Sequence, residues 1–292
     1  MTLELEEGVP LARLTTIGTG GRARALGRPR TLTELEAMLA WAAGRGLEVV
    51  TVGLGSNLLA ADAGVDALVL RLEGDLASVD VAGDLLEAGG GAPNAVCLHA
   101  ARRAGLGGLE FACAIPGTAG GGVRMNAGAY GRDWSAILVR ALVCSADGAG
   151  WSTPSELGLS YRHSVLRHGQ VVARVEYRLE PRPPEEVKAE VARLVAQRKS
   201  TQPTNKRTFG SVFKNPSPDL GAGRLLELCG LKGHRIGGAV ISPKHANFIE
   251  NAGGATTEDC LALMREARRR ARDEHGVELE HEVVLVGGIT LD

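Results

Sequence analysis

The chain has 292 residues, 33 basic against 34 acidic side chains, and 44% hydrophobic content, a length that favours two or three structural units over one compact core. The near balance of charge excludes a broad basic field that would hold nucleic acid or an acidic membrane surface. Glycine runs at about twice its average usage while aromatic residues make up 3%, so tight backbone turns are expected in place of aromatic stacking platforms.

The N-terminal stretch MTLELEEGVP is acidic and lacks a hydrophobic targeting segment. No run of about 18 apolar residues occurs, so a cytoplasmic protein that does not span a membrane is expected. Cys97, Cys113, Cys144, Cys229 and Cys260 are odd in number, dispersed and without a CxxC pair. They suggest a reduced protein with no cysteine metal site.

GTGGRA at 18–23 has the outline of a dinucleotide fingerprint, but RALGRPR follows where an amphipathic helix should open, and the match is read as accidental. Thr33 and Glu36 form a capping box for the first helix, and Leu35, Met38, Leu39 and Ala42 recur at helical spacing before Gly44 and Gly46 stop it. Residues 47–52 read as a strand, GLGSNLL at 53–59 as a glycine turn, and 67–72 as a strand again. Strand, turn and strand, with Ser56 and Asn57 as donors, is one way to grip a diphosphate without a helix dipole. By itself such a pattern is a turn in most proteins.

Two short strands are expected over 76–89, then a helix opened by Pro93 and closed by Gly105. EFACAIPGTAGGGVRMNAGAYG follows at 110–131, with Gly117, Gly120, Gly121, Gly122, Gly128 and Gly131 in almost uncharged surroundings. Its backbone can approach another group closely, and successive amides can form an anion-binding nest. A tight crossover between strands is the plain alternative. Residues 136–145 and 171–179 are β-rich around an Asp147-Gly148 turn, and a mixed sheet is expected there. Val187, Val191, Leu194 and Val195 line a helix ending in Arg198 and Lys199, followed by a polar linker at 201–207. A last unit contains GSVFKNP at 210–216, a short helix near 225–228, a strand near 247–250, a long helix at 257–275 and a strand at 277–286.

Four side-chain groups in these segments could carry chemistry. Ser211 could donate a proton beside a cation, or be an ordinary turn residue. Glu280 and Glu282 alternate in the expected last strand, which suits either a paired-carboxylate site or a solvated sheet face. Tyr161-Arg162 offers a phenol and a guanidinium suited to a carboxylate or phosphate, or to a surface ion pair. His245 after Pro243 and Lys244 is equally open.

Taken in order, GLGSNLL, IPGTAGGGVRMNAGAYG, YRHS, GSVFKNP, PKHANFIENAGG and LEHEV resemble the UDP-N-acetylenolpyruvoylglucosamine reductases, flavoenzymes that complete UDP-N-acetylmuramate for the bacterial cell wall. The resemblance runs over nearly the whole chain. It implies an α+β protein in which a two-subdomain FAD-binding fold of the vanillyl-alcohol-oxidase (PCMH) type is joined to a C-terminal α+β substrate-binding domain. The implied boundaries are 1–54, 55–204 and 205–292, the last strand returning toward the flavin. By position, Gly53, Leu54, Gly55, Ser56, Asn57, Ile115, Pro116, Gly117, Thr118, Gly121 and Gly122 match FAD-binding positions. Arg162, Ser211 and Glu282 match catalytic ones, and Tyr161, Lys199, Asn215 and His245 fall where substrate contacts are expected.

The implied reaction has NADPH as hydride donor and a UDP-linked amino-sugar enolpyruvyl ether as substrate. The family's usual LEPEVR is altered here, His281 replacing the proline and Val284 the arginine. The 162–187 segment is too short for a tyrosine-bearing flap, which implies a compact subclass. No residue matches a covalent flavin attachment site, so dissociable FAD is implied. Other flavin oxidases of the same fold, and a non-catalytic nucleotide-binding module, are the rival readings.

Overall fold

The computed structural model describes residues 3–292, and the chain divides into two compact units. The first comprises residues 3–7, Ala25–Leu54 and Ala67–Gln197. The smaller sheet, most of which lies in this unit, runs in the order Leu5–Glu7, Ala23–Gly27, Val65–Leu70, Glu48–Thr51, with the outer pairs antiparallel and parallel respectively. Helix α1 (Leu32–Ala43) buries Leu35, Met38, Leu39 and Ala42, the face the apolar spacing marks, against a core that includes Leu68 and Leu70. Its cap lies two residues earlier than expected. Thr31 is extended and accepts from the Glu34 amide, while the Glu34 carboxylate accepts from the Arg30 amide at 2.6 Å.

The larger sheet of this unit has the order Gly148–Ser152, Leu138–Ser145, Val171–Arg178, Leu85–Gly89, Val79–Ala82. Every pairing in it is antiparallel, where a mixed sheet was expected. Helix α2 (Asn94–Arg103) starts after Pro93, which is extended and precedes the helix instead of opening it. Helix α3 (Ala119–Arg124) is capped by the Thr118 hydroxyl, and α4 (Pro184–Thr201) buries Val187 and Leu194. Phe111, Trp134 and Tyr177 sit in the second core of the unit. There Phe111 meets Trp134 edge to face at 5.0 Å, and the indole N–H donates to the Tyr177 hydroxyl at 2.6 Å.

The second unit comprises Gly8–Arg24, Gly55–Asp66 and Arg198–Asp292. It interleaves two early segments with the C-terminal part, so the chain crosses between units at 54/55, while 1–54 and 55–204 each hold parts of both units. An antiparallel sheet ordered Thr208–Ser211, Phe248–Asn251, Ala239–Ile241, Arg235–Ile236 packs with α5 (Ala222–Leu228) and α6 (Thr257–His275) around one core. Leu58–Ala60 pairs in parallel with Val284–Val286. The expected strand at 277–286 is therefore cut to its last three residues. Gly276, left-handed at φ 65°, ends α6, and the chain from there makes a single bridge, Phe213 to His281, before Val284. The early GTGGRA run leads into the strand Ala23–Gly27, not a helix. Among the described residues, no helix is long and apolar enough to cross a membrane.

Candidate flavin site and catalytic strand pair

The first unit contains a cavity of about 280 Å³, near the lower end of the roughly 300–1,000 Å³ usual for ligand pockets. Gly53 and Leu54 line it from the end of the strand Glu48–Thr51, Thr118 and Gly121 from the start of α3, and Gly90 and Gly91 from the end of the strand Leu85–Gly89. The two glycine turns thus meet at one place. A Cβ at Gly53 would stand 2.8 Å from the Thr118 hydroxyl, and one at Gly90 would stand 1.9 Å from the Val172 carbonyl, so only glycine permits this packing.

Four amides of the long glycine run already have acceptors within the protein. Ala119 donates to Ala92 O, Gly120 to Gly90 O, Gly121 to the Thr118 hydroxyl and Gly122 to Thr118 O. Here the glycines let backbones touch, and these four amides are engaged within the protein. Gly122 faces Trp134, which a Cβ would meet at 2.7 Å. Ile115, Pro116 and Gly117 precede Thr118 and are not among the residues that line the cavity. The Asn94 side-chain amide donates to Ile115 O at 3.0 Å and the Asn94 amide to Gly117 O at 3.0 Å. Asn94 Oδ1 is the one buried side-chain polar atom without a hydrogen bond among the described residues. The cavity wall combines closely approaching glycine backbone with the cations Arg71 and Arg124, so the residues present fit an anionic cofactor such as FAD.

The chain passes from the first unit to the second between Leu54 and Gly55. Gly55 O accepts from the Thr16 amide at 3.0 Å, and Gly55 has φ 65° with the Leu14 carbonyl where a Cβ would lie. Asn57 donates through its side chain to Glu282 O at 3.2 Å and accepts from the Val284 amide at 3.1 Å. Gly55, Ser56 and Asn57 therefore belong to the second unit.

Ser211 ends the strand Thr208–Ser211, after Gly210 at φ 83°. The Glu282 amide donates to Val212 O at 2.8 Å, which sets the Glu282 backbone one position from that of Ser211. The segment is held from behind by buried Asn247, whose side chain accepts from the Phe213 amide at 2.9 Å and donates to Phe213 O at 2.8 Å. The two glutamates part company. Glu280 is exposed and bridges Lys214 at 2.5 Å, while Glu282 is half-buried.

His245 is half-buried, meets Phe248 edge to face at 5.0 Å, and accepts through Nδ1 from the Asn247 amide at 3.2 Å. Burial first, and then Lys232, pull its pKa down. Asn215 Oδ1 accepts from the Ala222 amide at 3.0 Å at the start of α5. Lys199 is exposed near the end of α4, its carbonyl accepting from the Lys244 ammonium.

Tyr161 and Arg162 belong to the first unit, at the tip of the turn closed by the Ser160–His163 bridge. Arg162 is left-handed at φ 53°, donates to Gly128 O at 2.6 Å and lies 5.0 Å over the Tyr161 ring. Asn126, Tyr130 and Arg162 are the non-glycine residues with positive φ among the described residues, and all three belong to this loop pair. Strain concentrated in this way is typical of functional loops. Buried Asn126 holds the turn, donating to Ser160 O at 2.8 Å and accepting from the Ser135 amide at 3.0 Å. Asn94, Asn126 and Asn247 escape sequence reasoning. The available signal is an asparagine inside or beside each motif.

The glycine-walled cavity, together with the family matches and relatives that follow, marks an FAD-dependent oxidoreductase. Residues 23–152 match the family model described as FAD binding domain, and residues 202–286 that described as UDP-N-acetylenolpyruvoylglucosamine reductase, C-terminal domain. The chain is 45% identical over 278 residues to the UDP-N-acetylenolpyruvoylglucosamine reductase of Anaeromyxobacter dehalogenans strain 2CP-C, covering 95% of this chain and 84% of that one. It is 42% identical over 288 residues to that of Myxococcus xanthus strain DK1622, covering 97% and 93%. The crystal structure of the UDP-N-acetylenolpyruvylglucosamine reductase from Thermus caldophilus superposes with a TM-score of 0.85 at 37% identity, covering 98% of this chain and 100% of that one. The chain belongs to the UDP-N-acetylenolpyruvoylglucosamine reductase family.

Proposed function

We propose that the protein reduces the enolpyruvyl group of UDP-N-acetylglucosamine enolpyruvate to UDP-N-acetylmuramate, a peptidoglycan precursor, in the cytoplasm and with NADPH as electron source. FAD, held without a covalent bond by the cavity of the first unit, supplies two-electron hydride chemistry when bound. The terminal carbon of the enolpyruvyl double bond receives the hydride and its neighbour a proton, while NADPH becomes NADP⁺.

The chain's own residues handle the charge and the proton. As the hydride adds, negative charge grows on the neighbouring carbon and its carboxylate. Arg162, and Glu282 in its protonated form, stabilise that charge, and interactions that strengthen as charge develops lower the barrier. Ser211 donates the proton to the carbanionic carbon, a step an alcohol can take only toward a strongly basic centre. Tyr161, Lys199, Asn215 and His245 are proposed to contact the substrate. The observation that supports this reading is the Glu282 amide donating to Val212 O, which lays the Glu282 segment alongside the residue that follows Ser211.

Stopped-flow absorbance of FAD-loaded protein tests the assignment. Ser211→Ala should leave flavin bleaching by NADPH unchanged and slow reoxidation by the enolpyruvyl substrate by orders of magnitude. Two normal half-reactions in the variant would remove Ser211 from the mechanism. A flavin that NADPH cannot bleach even in the native chain would remove the reductase reading.

A further inference from the structure

Arg124 closes helix α3 with its side chain on the wall of the cavity in the first unit. Its Nη1 donates to Gln170 O at 2.9 Å and its Nη2 to Arg167 O at 3.2 Å. These neutral carbonyls orient the guanidinium without neutralising it, and desolvation holds its pKa below the ordinary arginine value. Arg71 is a second cation on the wall. The carboxylate beside it there, Glu73, is engaged by Arg28 at 2.7 Å.

Four backbone donors on the glycine walls are already engaged within the protein. The amides of Gly90 and Gly91 donate to Ala173 O and Leu76 O, and those of Gly120 and Gly121 are spent as described above. A partly desolvated guanidinium without a counter-charge is costly, and the cost is recovered when an anion arrives. The cavity is therefore built for an anionic group but supplies its positive charge from side chains.

We infer that Arg124 binds a phosphate oxygen of the flavin nucleotide, and that its charge helps select the phosphorylated cofactor. The inference rests on the FAD reading proposed above. Arg124 donates a charge-assisted hydrogen bond to the phosphate, and Arg71 adds charge at the same wall. The isoalloxazine end of the ligand draws nothing from either arginine.

Flavin-free protein, titrated separately with FAD, FMN and riboflavin by flavin fluorescence, tests this at several salt concentrations. The native chain should bind FAD far more tightly than riboflavin. Arg124→Met should weaken a phosphorylated flavin by roughly ten- to a hundredfold, the loss for one charged hydrogen bond. It should leave riboflavin affinity unchanged and flatten the salt dependence. Arg124→Lys should restore part of the affinity and the salt dependence.

Unchanged FAD affinity in Arg124→Met would overturn the inference. An equal loss for riboflavin and FAD would also overturn it, since that pattern assigns Arg124 only the task of holding the 167–170 loop. Failure of the native chain to bind any flavin would overturn the FAD reading and this inference together, and is distinguishable because it needs no variant.

Discussion

Tyr177 shows how single polar atoms are settled in this fold. Its hydroxyl accepts from the Trp134 indole at 2.6 Å inside the larger core, and burial raises its pKa well above the ordinary value. Tyr177→Phe strands a buried indole N–H at a cost of about 1–3 kcal/mol. Urea denaturation should show a lower midpoint with an unchanged slope. His245 carries a pH dependence. Because burial lowers its folded pKa, the unfolded chain takes up a proton at this side chain while the folded chain does not. Stability therefore falls as pH drops through the ordinary histidine range, around 6.5. In His245→Gln the loss of stability between pH 7.5 and 5.5 should be smaller than in the native protein, measured by urea midpoints at the two pH values. The buried thiols are equally marked by desolvation, Cys97 and Cys260 being pushed to about 12 and Cys144 to about 11.

At the scale of elements, α6 is the best-defined helix. Thr256 accepts from the Asp259 amide at 3.0 Å, and the Asp259 carboxylate accepts in return from the Thr256 amide at 3.0 Å and from Gly238 at 3.1 Å. Thr256→Ala should cost about 1 kcal/mol, seen as a lower melting temperature. The bounds of this helix were legible in the sequence because threonine and acidic residues open it, apolar residues recur along one face and Gly276 closes it. The apolar face of α1 was legible for the same reason. Its cap was not, because Thr31 and Thr33 each have a glutamate three residues on, and only backbone conformation decides between them. The last strand was overextended since its partner, Leu58–Ala60, is remote in the chain and no local periodicity announces it. Asn94 and Asn126 act through backbone carbonyls of other loops, and no spacing rule reports such contacts.

For the molecule as a whole, the meeting of two glycine-marked turns was readable from the sequence, and Gly53, Leu54, Thr118 and Gly121 do line one cavity. The interleaving of Gly8–Arg24 and Gly55–Asp66 with the C-terminal part was not, because it is decided by long-range pairing. The cavity links binding to stability. FAD at about a hundred times its dissociation constant should stabilise the folded chain by about 2.7 kcal/mol by mass action, provided the unfolded chain has no affinity for it. A thermal scan of flavin-free protein against rising FAD should therefore show the midpoint climbing with concentration, and no rise would count against the cavity as the flavin site. Asn57 adds a practical consequence. It sits in a stretch any motif search files under cofactor recognition, yet its side chain grips the backbone of a residue 225 positions away that is proposed to act on the substrate. A mutational screen sorted by motif would score an Asn57 variant as a flavin-loading defect alone, although losing this bond is also expected to loosen the backbone that carries the glutamate.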